Sequence, residues 1–111
     1  MIRLGRAAGY LFDGPRLLGG WLPPAGPAVY VIMYRLVEPS RYAVLYADHA
    51  DDVSAVGFPF RHRRTPCWTK RAGDKWKLHV AWFVVPGDTP AHRDHITAEL
   101  ITVYHPPCNG R

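Results

Sequence analysis

Ala28 to Tyr34 is an unbroken apolar run in which Val29, Val31 and Ile32 are β-branched. It is too short and too β-branched for a helix, and the lack of alternation means cover on both faces, so the pattern predicts a central strand. Val37-Glu38-Pro39-Ser40-Arg41 then turns the chain, and Tyr42 to Tyr46 follows as a second strand, antiparallel to the first. Asp48 to Val56 suits one or two helical turns, which Gly57-Phe58-Pro59-Phe60 must stop. Thr65-Pro66 and Gly73 bracket another short helix, this one carrying Trp68. Leu78 to Val85 is the third predicted strand, and Pro86-Gly87-Asp88 leads out of it.

The last element is the most legible. Thr89 is a good N-cap, Pro90 fits the first helical position, and Pro106 prevents continuation beyond about His105. At about 100° per residue, Ile96, Leu100, Val103 and Tyr104 share a stripe, with Ile101 at one margin and Glu99 beside Val103 at the other. Taken alone, Glu99 reads as a snorkelling or paired boundary residue. The first 27 residues are rich in glycine and proline and carry Leu17-Leu18 and Trp21-Leu22, which predicts an irregular arm, residues 1–27, packed by a few anchors onto a single domain, residues 28–111. The resulting expectation is a small α+β fold, a three-stranded, mainly antiparallel sheet flanked by helices.

A chain of 111 residues has room for one core, and 48% apolar with 21% charged residues marks a globular chain rather than a disordered one. No stretch approaches the roughly 20 apolar residues that span a bilayer, and the start lacks the apolar core of a signal peptide. Two cysteines, Cys67 and Cys108, do not make a disulfide framework, so the expected setting is reducing and cytoplasmic, without a membrane. The net charge is +5, and cations gather at Arg61, Arg63, Arg64, Lys70, Arg71, Lys75 and Lys77. Such a band suits phosphate backbones, which makes DNA the expected partner; it also suits a solvated face or a protein partner.

Two further constellations carry chemistry. His62-x4-Cys67 and His105-x2-Cys108 together hold enough donors for tetrahedral Zn²⁺, although the spacing is loose and Cys108 also fits as a buried thiol. Trp68, Trp76 and Trp82 interleave with Arg71, Lys75 and Lys77, a composition that stacks bases and holds phosphates. Trp82 lies inside the third strand and reads as core, leaving Trp68 as the surface candidate.

Ala28-Val29-Tyr30, Leu45-Tyr46-Ala47-Asp48, Asp51-Asp52-Val53 and finally Glu99-Leu100-Ile101 with Pro107-Cys108-Asn109 resemble, in order and spacing, the GIY-YIG endonuclease domain over about residues 27 to 109. The resemblance implies a three-stranded antiparallel sheet flanked by helices and hydrolysis of a nucleic-acid phosphodiester by an activated water. It implies one divalent metal, Mg²⁺ or Mn²⁺, bound by the helix glutamate, to which Glu99 corresponds. Tyr30 corresponds to the first-triplet tyrosine, a general base or water positioner, and Tyr46 to the second. A tyrosine with a reference pKa of about 10 is a poor base unless metal or cations lower it. At the family spacing the second-triplet glycine is Asp48, and the arginine of the first helix falls at Val56, which cannot stabilise a phosphoryl transition state. Arg61, Arg63 or Arg64 would have to supply that charge.

The expectations are therefore a diverged metal-dependent DNA-processing domain with Tyr30, Tyr46 and Glu99 catalytic, or a non-catalytic nucleic-acid- or protein-binding module on the same fold. A zinc-stabilised interaction domain is the third. In the first two, Arg61, Arg63, Arg64, Trp68, Lys70, Arg71 and Asn109 are the expected nucleic-acid contacts.

Overall fold

The computed structural model describes residues 1–7, 9–37 and 41–110. Five strands, β1 (Ile2–Leu4), β2 (Tyr10–Leu17), β3 (Ala28–Leu36), β4 (Arg41–Ala50) and β5 (Leu78–Phe83), form one sheet in the order β1-β2-β5-β3-β4. Every pairing is antiparallel. Two helices, α1 (Thr65–Ala72) and α2 (Pro90–Tyr104), complete the fold. This corrects the expected three-stranded sheet flanked by helices: the sheet dominates, and its two additional strands come from the residues expected to form an irregular arm.

The apolar run of β3 is central as its pattern predicts, hydrogen-bonded to β4 on one side and β5 on the other. Its residues alternate between two cores. Ala28, Tyr30 and Ile32 join Trp68, Leu78 and Cys108 on one face. Val29, Val31 and Met33 join Phe12, Ile96 and Leu100 on the other, under α2. A strand buried on both faces has no polar side to show, which is why the run lacks alternation.

β2 escapes sequence reading because Gly14 and Pro15 interrupt it. Here they mark a break in register against β5, between Asp13 and Arg16. Gly14 sits at φ +90°, and a Cβ there would come within 2.7 Å of the Val80 carbonyl oxygen. Residues that normally punctuate loops thus build a bulge inside a paired strand.

β4 runs on through Asp48 to Ala50, so the predicted helical turns from Asp48 shrink to one 3₁₀ turn, Val53–Ala55. Asp52 caps that turn and also accepts the Gly26 amide at 3.1 Å. A register shift opposite Ile32 and Met33 leaves Leu45 as an extra residue, and Leu45 and Tyr46 both enter the α1-side core. The predicted turn at Glu38-Pro39-Ser40 lies outside the described residues.

The ends of both helices follow local chemistry. Thr89 Oγ1 accepts the His92 amide at 3.1 Å, and His105 closes α2 with φ 46°. Gly73 closes α1 with φ 89°. The buried face of α2 consists of Arg93, Ile96, Thr97 and Leu100, so it starts a turn earlier than the apolar stripe and includes a cation. Arg93 is satisfied by Asp51 at 2.6 Å and Asp88 at 2.8 Å, and the hydrogen bond it donates to Asp51 raises its pKa.

Beyond α2 the chain lies along β4. The Cys108 amide donates to the Leu45 carbonyl at 2.9 Å, and Cys108 is disulfide-bonded to Cys67 of α1. The two cysteines, expected as free thiols, instead tie the C-terminal segment to a helix.

Candidate nucleic-acid interface

Register places the first components. Tyr30 on β3 is the cross-strand partner of Asp48 on β4, and Ile32 is that of Tyr46, so Tyr30, Tyr46 and Asp48 share the α1-side face. Tyr46 donates its hydroxyl hydrogen to Asp48 Oδ2 at 2.8 Å, while Asp48 Oδ1 accepts the His49 amide at 2.8 Å.

The segment between Gly57 and Arg64 closes over these groups. Gly57 has φ +104°, and a Cβ there would meet the Arg61 backbone at 2.8 Å, so the tight return requires glycine. The return delivers His62 to Tyr30, with Nε2 3.1 Å from the phenolic oxygen. The Arg64 amide donates to His62 Nδ1 at 3.0 Å, which leaves the neutral ring's proton on Nε2, pointing to Tyr30. Aromatic rings form the wall behind. Phe58 packs edge-on to Tyr30 at 5.0 Å, and Trp68 lies 4.7 Å from the His62 ring.

Burial sets the protonation states. It pushes the Tyr30 phenol well above its usual range, with the Asp48 charge adding to the effect. It pushes Tyr46 up to about 12, again helped by Asp48; Arg63 opposes the shift without reversing it. Burial also lowers the His62 pKa. At neutral pH the site therefore offers two phenols and a neutral imidazole, groups that give hydrogen bonds rather than take protons. Arg61 and Arg63 line the opening together with Tyr30, Asp48, His62 and Val56. The position where the resemblance calls for arginine is thus in the cleft, and the guanidiniums there come from the following segment.

Glu99 is elsewhere. It lies on the α2 side of the sheet, where Oε2 accepts the Arg6 amide at 3.0 Å and Oε1 faces the Tyr10 hydroxyl at 3.4 Å. It fits closely enough that a Cβ on Gly5 would stand 2.8 Å from Oε2. The sheet separates it from Tyr30 and Tyr46. The groups around it are donors, unsuited to a hard cation, and among the described residues no three His, Cys, Asp or Glu side chains converge as a metal requires. Glu99 as placed does not fit Mg²⁺ or Mn²⁺. Nor do the four residues considered for Zn²⁺ fit it: Cys67 and Cys108 are spent on each other, and both ring nitrogens of His62 are engaged.

The other expected contacts divide. Arg61, Arg63, Lys70 and Arg71 are exposed and Arg64 is half-buried. Trp68, expected at the surface, is completely buried, stacked on Phe58, and presents no face to a base. Asn109 clamps β4, taking the Ala47 amide at 2.8 Å and giving to the Ala47 carbonyl at 2.7 Å. Two members of the site escaped sequence reading in their present role. For Asp48 a signal existed, since it follows Tyr46 by two residues and strand alternation puts both on one face. For His62 none did, because only the fold brings it to Tyr30. No family model, curated protein or solved structure matches the chain.

Proposed function

We propose that this chain is a module that binds DNA at the Tyr30–His62 cleft without hydrolysing it. The observation that carries the reading is the separation of Glu99 from a cleft whose phenols are held protonated beside Arg61 and Arg63. Two guanidiniums at an opening floored by the Tyr30 hydroxyl suit a phosphate oxygen, and charge-assisted hydrogen bonds to phosphate are the strong kind. A water nucleophile needs a base, and neither tyrosine is suited to be one.

A hydrolytic reading has one observation in its favour: Asp48 puts a carboxylate beside both phenols and both arginines. The two readings separate in one experiment. DNA binding by anisotropy is expected to weaken steeply with salt, and Arg63→Gln to reduce the slope of log K against log salt by about 1. With Mg²⁺ or Mn²⁺ and supercoiled or branched DNA, no cleavage is expected. Cleavage by wild type that Asp48→Asn abolishes would establish the hydrolytic reading instead, and salt-independent or absent binding would remove the DNA reading altogether.

A further inference from the structure

The tryptophan that faces solvent is Trp76, which is 63% exposed. It belongs to the 3₁₀ turn Lys75–Lys77, whose cap, Asp74, accepts the Trp76 amide at 2.9 Å. The indole lies against the Gly19 backbone, where a Cβ would come within 2.9 Å of the ring. Phe60 meets it edge-on at 5.4 Å and 84°. Lys75 Nζ stands 5.0 Å from the Phe60 ring centre and 5.2 Å from that of Trp76. A large ring is thus held in place while most of its surface is left to water, and a cation is fixed beside it.

This platform is continuous with the cleft. Phe60 and Lys75 line an opening that also contains Arg63 and Lys70, and this opening meets the Tyr30 cleft at His62 and Arg63. From Trp76 the surface therefore leads through Lys75, Lys70 and Arg63 to Tyr30, an aromatic followed by a line of cations.

We propose that this track binds single-stranded DNA, with an unpaired base stacked on Trp76 and the adjoining phosphates carried by Lys75, Lys70 and Arg63 toward the Tyr30 cleft. The proposal rests on the DNA-binding reading and specifies its substrate. In a duplex the base faces are already stacked on each other, so an exposed indole gains nothing from paired DNA, whereas any unpaired base presents a π-face. The cations alone do not discriminate, because phosphates are common to both forms.

The test compares a fluorescein-labelled single strand of about 12 nucleotides with the duplex of the same sequence, on the full chain at one fixed salt concentration. The single strand is expected to bind about tenfold more tightly. Trp76→Ala is expected to weaken single-strand binding about tenfold and leave duplex binding unchanged, while Trp76→Phe keeps most of the affinity. Matching urea midpoints for wild type and Trp76→Ala show that the loss is not one of folding. Duplex binding equal to or tighter than single-strand binding, or a Trp76→Ala variant with wild-type single-strand affinity, would overturn this proposal and leave the DNA-binding reading in place. Absence of salt-dependent binding to either form would overturn both.

Discussion

The imidazole of His62 is caught between two hydrogen bonds that settle both its tautomer and its charge. Arg64 donates to one nitrogen and the other faces the Tyr30 hydroxyl, inside a wall of aromatic rings. A second proton on Nδ1 would meet the Arg64 amide head-on and place a cation in a buried site beside Arg63 and Arg64; the Asp48 charge favours that cation, but burial prevails and the pKa is lowered. The unfolded chain then takes up the proton first as pH falls. The stability His62 contributes is fully present above the ordinary histidine value of about 6.5 and is lost as pH falls toward the folded value. Urea unfolding at pH 7, 6 and 5 is expected to show wild type losing more stability than His62→Gln over that interval. Equal losses in the two proteins would mean that His62 titrates as freely in the fold as out of it.

At the scale of elements, what was legible follows how local the determining chemistry is. Thr89, Pro90 and Pro106 define α2 because a cap and a missing amide act within one turn. β2 was hidden because its partner, β5, lies far along the chain and pairing overrides the loop signal of Gly14 and Pro15. β4 outruns its apolar pattern although its partner is the preceding strand, because Asp48, His49 and Ala50 pair with Tyr30, Val29 and Ala28 and the ladder overrides their polar character. The segment after α2 shows how a residue matched by resemblance can have a structural use. Asn109 occupies both backbone groups of Ala47, as a neighbouring strand would, next to the irregular stretch of β4. Asn109→Ala leaves those groups unpaired and is expected to destabilise the protein by about 1–3 kcal/mol, with DNA affinity unchanged. A shifted urea midpoint and faster exchange of the Ala47 amide check this. Unchanged stability with lost DNA binding would instead make Asn109 a contact residue.

For the whole molecule the decisive question is whether residues 28–111 fold without the first 27. The resemblance covers about residues 27 to 109, and the sheet also takes β1 and β2 from the first 27. Leu18 and Trp21 are buried in the core on the α1 side, where Trp21 meets Phe58 edge-on at 5.2 Å; Leu4 and Phe12 are buried in the core under α2. Burying four such side chains contributes about 6–12 kcal/mol, comparable with the entire stability of an ordinary domain, about 5–15 kcal/mol. Removing residues 1–27 also strips β5 of a partner along one edge. The fragment 28–111 is therefore expected to show no cooperative unfolding transition by circular dichroism, whereas the full chain shows one; a cooperative transition in the fragment would restore the three-stranded core as the folding unit. The same dependence explains Glu99 without catalysis. Its carboxylate receives the Arg6 amide and faces the Tyr10 hydroxyl, so it anchors the connection between β1 and β2 to α2, and it is the N-terminal strands, rather than the Tyr30 cleft, that stand to lose a partner with it.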